Sequence, residues 1–165
     1  MSGIEARLAE LEARVRRLED EREIAALIAS YGPLVDDGAD AEVASLWLDD
    51  GVYEVDAYLM DGAAAVAEMV RSAPHQGLIA GGCAHFQGPV HVQVDGDSAV
   101  AVGYSLLVTH RVGESGAPRF AVARATANHW ALQRVSGRWR VERRTSRLID
   151  GQAAAHELVA GPLKA

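Results

Sequence analysis

Four polar side chains lie within alternating, apolar stretches of the second half of the chain: His110, Thr126, Asn128 and Arg143. Polar groups on the inward face of a strand need hydrogen-bond partners or a pocket. If this face lines a cavity, the cavity contains imidazole, hydroxyl, amide and guanidinium groups. Such groups can bind the oxygen atoms of a small molecule, so the sequence predicts a polar binding face on a β-sheet.

A carboxylate and a second imidazole complete a possible catalytic set. Asp36 lies where the first predicted helix ends, and His85 begins a predicted strand after a glycine-rich loop. A carboxylate holds an imidazole in one tautomer and makes it a stronger base. The alternative is structural, because Asp36-Asp37-Gly38 is also an ordinary helix-ending turn. Asp36 and His85 are therefore either a general base pair or two unrelated structural residues.

Helical periodicity dominates the N-terminal region that would position Asp36. The apolar residues Ile4, Leu8, Leu11, Val15 and Leu18 follow one another in steps of four and three, which forms a short heptad seam. The pattern continues to Tyr31, where Gly32-Pro33 disturbs it, so we expect one long helix or two abutting helices. The seam either packs on its own domain or contacts another copy of the chain.

Further elements follow in a regular order. We expect short helices over Asp40–Leu48 and Ala63–Arg71, with a strand beginning at Val52 between them and a loop over Gly77–Gly82. The strand that His85 begins is then followed by three alternating segments. Turns at Asp95-Gly96-Asp97, Gly113–Pro118 and Ser136-Gly137 separate them.

Helices that precede a run of antiparallel strands predict the α+β class. We expect a cone-shaped α+β barrel in which N-terminal helices pack on a curved, mainly antiparallel sheet. Three regions follow from the patterns: a helical extension with the heptad seam over 1–22, the barrel domain over 23–150, and a tail over 151–165. The tail is either a final helix or a loose end.

Composition excludes several classes of protein. The chain has 165 residues, with 16 Lys and Arg against 23 Asp and Glu, and its net charge of -7 argues against nucleic acid or anionic membrane as partners. Cys83 is the single cysteine, so a disulfide framework or a Cys-based zinc site is not expected. The six histidines lack short ligand spacing, and the N-terminus lacks a secretory signal. We expect a cytoplasmic protein without metal or cofactor.

Several segments resemble SnoaL-like members of the nuclear-transport-factor-like superfamily. Residues 24–31, Asp36 and 43–51 are similar to the opening of bile-acid 7-alpha-dehydratases and hexachlorocyclohexane dehydrochlorinases. His85-Phe86, Tyr104 to His110 and Thr126-Ala127-Asn128 are similar to segments of scytalone dehydratases. The chain departs from the latter at Val35, where they have a tyrosine, so the carbonyl-polarising role passes to Tyr31, Tyr53 or Tyr58.

The resemblance implies a cofactor-independent lyase, a dehydratase-like enzyme that removes water or another small leaving group from a hydrophobic cyclic, polyketide-like or steroid-like substrate. The implied catalytic residues are Asp36, His85, Tyr31 and His110, and the implied substrate-binding residues are Asn128, Thr126 and Tyr53. By their position on the strand alone, Arg143 and Arg147 either belong to a solvated or interface surface, or one of them pairs with Asp36 or anchors a carboxylate of the substrate. The resemblance also implies a homo-oligomer, a trimer or a dimer.

Two alternatives stay open at this point. The same Asp-His pair could return the proton at another carbon, as in an isomerase, or close a ring, as in a polyketide cyclase. A non-catalytic small-molecule-binding or assembly module would use the cavity without chemistry, and Asp36 and His85 would then be structural. Fold alone does not distinguish these activities.

Overall fold

The computed structural model describes residues 3–113 and 116–164, in which helices and strands follow the order helices first, sheet second. The helices are α1 (Gly3–Asp36), α2 (Asp40–Ser45), α3 (Ala63–Arg71), α4 (Ala73–Gly81) and α5 (Ala153–Lys164). The strands are β1 (Trp47–Val55), β2 (Tyr58–Asp61), β3 (Cys83–Asp95), β4 (Ser98–Val112), β5 (Pro118–Val135) and β6 (Arg138–Leu148).

One open sheet contains all six strands, in the order β2-β1-β6-β5-β4-β3. Every neighbouring pair is antiparallel except β1 and β6, which run parallel. The predicted fold class is therefore confirmed: helices pack on a curved, mainly antiparallel sheet. No helix of the described residues is long and apolar enough to cross a membrane.

The C-terminal half of α1 packs against the concave face of the sheet. Its buried residues Ile24, Ile28, Tyr31 and Val35 recur in steps of four and three, which places them on one side of the helix. They join a core that contains Trp47 of β1, Trp130 of β5 and Trp139 of β6. Because Asp36 is the last residue of this helix, the packing of α1 brings its carboxylate to the sheet.

The structure differs from the sequence-based expectations at three elements, one of which is β2, a strand that was not predicted and that pairs antiparallel with β1. Residues expected to form a loop form α4, in which Pro74 lies in the first turn, where a missing N–H costs no intrahelical hydrogen bond. The expected helix Asp40–Leu48 ends at Ser45, and Trp47 already pairs with Val141 of β6. Burial of the Trp47 side chain in the core accounts for the early start of β1.

The other predicted elements agree with the structure. α1 is one continuous helix through Pro33, α3 has the expected bounds, and all three predicted turns connect strands of the sheet. Residues Glu114 and Ser115 of the second turn lie outside the described residues. The C-terminal tail forms a final helix, α5, which packs Ala155 and Val159 on the convex face of the sheet.

Candidate active site

A cavity of about 540 Å³ lies between the helices and the concave face of the sheet. Its apolar wall is formed by Val55, Leu59, Met60, Met69, Pro74, Leu106 and Leu107, with Tyr31, Tyr53 and Tyr58 beside them. Its polar groups come from α4 and from strands β3 to β6: His75, His85, Gln87, Ser105, Arg124, Thr126, Arg144 and Ser146. The cavity is large enough for a drug-sized apolar molecule with a few polar atoms.

Asp36 and His85 form a hydrogen-bonded pair at one side of this cavity. His85 Nδ1 donates to Asp36 Oδ1 over 2.6 Å, and the backbone N–H of His85 donates to Asp36 Oδ2 over 2.7 Å. Both carboxylate oxygens are thus used to orient one residue. The chain does turn at Asp36-Asp37-Gly38, where α1 ends, and the Asp36 side chain in addition bonds His85. Nε2 of His85 is the nitrogen left for a ligand in the cavity.

The surroundings of His85 favour its neutral form. Burial lowers the pKa of His85 and Asp36 opposes this, while the electrostatic effects of His75 and Arg144 lower it further. His75 lies on α4 with its ring centroid 5.5 Å from that of His85, and its Nε2 donates to the carbonyl oxygen of Val35 over 2.9 Å. A neutral imidazole oriented by a carboxylate is competent to accept a proton.

Arg144 is a buried cavity residue that the sequence patterns did not identify as part of the site. Its side chain is 2% exposed, and Nε and Nη2 donate to Asn128 Oδ1 over 3.1 and 2.8 Å. Among the described residues it forms no ion pair, and its buried Nη1 has no hydrogen-bond partner. A buried donor of this kind is costly unless something accepts its hydrogen bond, and Arg144 lines the cavity where a ligand oxygen could do so.

Three aromatic rings surround the Arg144 guanidinium. Its central carbon lies 4.5 Å from the ring centroids of Tyr31 and Tyr53 and 4.2 Å from that of Trp130. Cation–π attraction in a desolvated site stabilises the buried charge without neutralising it. Burial raises the pKa of Tyr31, so its phenol stays protonated and retains a proton to donate. Tyr31 and Tyr53 both line the cavity.

Asn128 and Thr126 belong to a polar network that supports Arg144. Asn128 Oδ1 also accepts from Ser146 Oγ over 2.6 Å, and its Nδ2 donates to Ser105 Oγ over 2.9 Å. The Thr126 and Ser105 hydroxyls lie 2.8 Å apart. Thr126 lines the cavity. Asn128 is 1% exposed, does not line the cavity, and accepts hydrogen bonds from Arg144. Asn128 therefore orients the guanidinium, which differs from the direct ligand contact expected of it.

Arg143 does not reach the cavity, and a bulge in β6 is the reason. Val141 pairs with Leu132 but Arg143 pairs with Ala131, so one extra residue of β6 is accommodated near Glu142. A bulge exchanges the two faces of a strand. Arg144 consequently shares the inward face with Val141, and the exposed Arg143 donates to Glu54 Oε2 over 3.3 Å. Arg147 also pairs with Glu54 and not with Asp36.

His110 likewise lies away from the cavity. It is exposed on the outer face of β4, where it pairs with Phe120 and the two rings lie 5.6 Å apart. The expectation placed the bulky apolar residues of β4 inward, but the buried inward residues are the small ones Ala99, Ala101 and Ser105. Val102 is buried instead beneath α5 on the convex face. Because β4 is covered on both faces, its apolar residues do not show which face is inward, and His110 faces outward where the sequence predicted it inward.

A further contact at the Asp36–His85 pair comes from the single cysteine. Cys83 Sγ donates to Asp36 Oδ1 over 3.3 Å, and potential ligand atoms of Asp36, Cys83 and His85 lie within 4.8 Å of one another. Burial and the Asp36 carboxylate raise the pKa of Cys83 to about 11. In the structure these groups are bonded to one another, because Asp36 Oδ1 accepts from both Cys83 and His85. Sequence spacing did not reveal this cluster because it joins a helix to a strand.

The fold and the cavity define an α+β protein of the nuclear-transport-factor-like class. The family model described as SnoaL-like domain matches residues 16–145. The chain therefore belongs to the SnoaL-like domain family, and the resemblance found in the sequence is confirmed. Among proteins with curated descriptions, none matches the chain.

Solved structures agree with this assignment. An NTF2-like protein with a cystatin-like fold from Novosphingobium aromaticivorans is 42% identical, with a TM-score of 0.85 over 92% of this chain and 96% of that one. Hexachlorocyclohexane dehydrochlorinase LinA-type3 from Novosphingobium barchaimii LL02 is 19% identical, with a TM-score of 0.67 over 82% of this chain and 90% of that one. At that identity the second likeness concerns the fold alone.

Proposed function

We propose that the chain is a cofactor-independent lyase that eliminates water, or another small leaving group, from a hydrophobic substrate carrying a carbonyl group. The observation that carries this proposal is the placement of the Asp36–His85 pair and the buried Arg144 at one cavity. The Asp36–His85 pair supplies a base, and Arg144 supplies a positive charge that has no ion-pair partner among the described residues. A base and a site for developing negative charge are the two requirements of elimination next to a carbonyl.

The base would work through Nε2 of His85. It takes a proton from the carbon beside the carbonyl, and the C–H electron pair moves toward the carbonyl oxygen. The resulting imidazolium is stabilised by Asp36, which already accepts from Nδ1. The electron pair then forms the new carbon–carbon double bond as the leaving hydroxyl departs with the proton held by His85. Water and an unsaturated ketone are the products, and His85 returns to its neutral form.

Arg144 and Tyr31 would stabilise the negative charge on the carbonyl oxygen by donating hydrogen bonds to it. Arg144 Nη1 has no hydrogen-bond partner among the described residues, so a ligand oxygen would complete its set of donors. Tyr31 carries a proton because burial raises its pKa. Donors positioned before the reaction stabilise charge as it develops. The largely apolar cavity wall is suited to a hydrophobic cyclic or polyketide-like substrate.

The structural likeness to a dehydrochlorinase is compatible with elimination chemistry on this fold, since that protein's name describes removal of hydrogen and chlorine. Return of the proton at another carbon would make the chain an isomerase. Product mass separates these reactions, because elimination changes the mass of the substrate and isomerisation does not.

The test is incubation of the protein with a panel of hydrophobic cyclic and long-chain β-hydroxy ketones, followed by mass spectrometry. We expect a product lighter by one water molecule, and we expect Asp36→Asn and His85→Ala each to abolish its formation. Asp37→Asn is the matched control, since Asp37 is the exposed neighbour of Asp36. Turnover that persists in the Asp36 and His85 variants would refute the assigned base, and a product of unchanged mass would refute elimination.

A further inference from the structure

The first half of α1 is a helical arm that stands apart from the domain. Every residue over 3–19 is exposed, and the first contacts with the sheet are made by Asp20, which accepts from Arg134 Nη2 over 2.6 Å and from Trp139 Nε1 over 3.2 Å. The arm of Gly3–Glu19 is about 25 Å long at 1.5 Å per residue. Because the arm is exposed, it is not stabilised by packing on its own domain. An isolated helix of this length is marginal in water.

One side of the arm is apolar and uncovered. The heptad seam residues Ile4, Leu8, Leu11, Val15 and Leu18 are between 50% and 81% exposed. At 3.6 residues per turn, the centre of this seam lies roughly 150° around the helix axis from the stripe that packs on the sheet. That stripe contains Ile24, Ile28, Tyr31 and Val35. The seam therefore faces away from its own domain, and a partner helix can approach it without meeting the sheet.

The charges beside the seam indicate what kind of partner fits. With Leu8 and Val15 at heptad position a, the e positions hold Glu12 and Glu19 and the g positions hold Arg7 and Arg14. Acidic residues thus flank one side of the seam and basic residues flank the other side. A partner with the same arrangement can match these charges only in certain orientations.

A second copy of the arm in parallel, in-register pairing places g residues opposite the e residues of the following heptad. Arg7 then meets Glu12 of the other copy, and Arg14 meets Glu19. Symmetry doubles this to four attractive pairs. Antiparallel pairing would place arginine against arginine and glutamate against glutamate, which is repulsive.

We propose that the seam of Ile4, Leu8, Leu11, Val15 and Leu18 pairs with the same seam of a second copy of this chain, parallel and in register. The exposed seam and the charge pattern carry this proposal independently of the catalytic proposal above. A lipid surface is a weaker match, because the arm contains four arginines and four glutamates and so lacks the basic excess of helices that bind anionic membranes.

The geometry is tested by disulfide cross-linking of the full chain. In a parallel, in-register pair Leu11 meets Leu11 at the d position, so Leu11→Cys should form a covalent dimer on mild oxidation. Ala13→Cys is the matched control, because Ala13 is also exposed but lies at the f position on the outer side. Wild-type protein, with Cys83 as its one cysteine, gives the baseline. Equal dimer yields from Leu11→Cys and Ala13→Cys would overturn the proposal.

Charge reversal tests register and orientation by sedimentation equilibrium. Arg7→Glu with Arg14→Glu turns four attractive pairs into repulsive ones and should weaken self-association about tenfold or more. Addition of Glu12→Arg and Glu19→Arg restores the attraction, and the dissociation constant should return close to the wild-type value. A monomeric wild-type protein, unchanged association in the doubly reversed variant, or failure of restoration would each overturn the proposal. So would a monomeric chain that sediments with phosphatidylserine-containing vesicles, since lipid would then be the occupant.

Discussion

Gly32 of α1 packs directly on the backbone carbonyl of His85 in β3. A Cβ atom at Gly32 would lie 2.0 Å from that carbonyl oxygen, well inside any real contact distance. Asp36 follows one helical turn later and bonds the same histidine. The absence of a side chain at Gly32 therefore sets the distance between helix and strand at which the Asp36–His85 pair can form.

Gly32→Ala is expected to separate α1 from β3, because the carbonyl it meets is backbone and cannot rotate away. We expect the free energy of unfolding to fall by about 3 kcal/mol, measured by urea denaturation, with loss of turnover. Gly77→Ala is the matched control, since a Cβ there meets nothing within 4 Å. That helical replacement should leave stability unchanged or raise it by about 0.5 kcal/mol. Equal stability of the two variants would contradict the role assigned to Gly32.

Arg144→Lys is expected to impair both stability and activity although it keeps the charge. A lysine ammonium cannot reproduce the two bonds to Asn128 Oδ1 or stack among three aromatic rings. We expect a loss of about 2 kcal/mol in the free energy of unfolding and a decrease in kcat/KM of about 100-fold. Arg143→Lys, on the exposed face, should change neither quantity appreciably. A larger effect at Arg143 would show that the strand faces are assigned the wrong way round.

The pKa of His85 is expected to lie below the ordinary value of 6.5, because burial outweighs the attraction of Asp36. Titration of the histidine ring signals by NMR measures it, with His85→Ala to assign the resonance. Since Asp36 opposes the shift, Asp36→Asn should lower this pKa further. In turnover, kcat/KM should decrease at low pH as His85 becomes protonated and loses its basicity. The midpoint of this decrease should lie below pH 6.5. A wild-type pKa above 6.5 would contradict a base held neutral by burial.

Cys83 is expected to react slowly with thiol reagents despite its partial exposure. Its pKa of about 11 results first from burial and then from the hydrogen bond and negative charge of Asp36. The thiolate is the reactive species, so alkylation by iodoacetamide near pH 8 should be much slower than that of an unfolded control. Asp36→Asn should accelerate it by removing the charge that disfavours the thiolate. Faster alkylation in the wild type than in Asp36→Asn would show that the carboxylate is not beside the sulfur.

The catalytic candidates divide according to whether a recognisable sequence pattern marks them. The Asp36–His85 pair was predicted because it resembles a known pattern and because each residue ends or begins a recognisable element. Arg144 was missed and Arg143 chosen because regular alternation was assumed along β6. The run Arg143-Arg144 contained the one available signal, since adjacent residues of a strand face opposite sides and one arginine had to face inward.

His110 shows the same limitation from the other side of the sheet. Alternation on β4 shows which residues share a face, but it does not show which face lies toward the cavity. That depends on α5, which covers Val102 on the convex side with Ala155 and Val159. A strand covered on both faces has apolar residues on both faces, so periodicity alone does not show which face lies toward the cavity.

By itself the sequence determined that helices precede the main run of strands, the α+β class, the turns between the later strands and the heptad seam of the arm. These follow from periodicity and turn chemistry acting over a few residues. Only the tertiary structure decided that Arg144 faces the cavity, that His75 lies beside His85, and that Cys83 joins Asp36. Strand register, bulges and helix–sheet packing place these groups, and those features depend on contacts between residues that are distant in the chain.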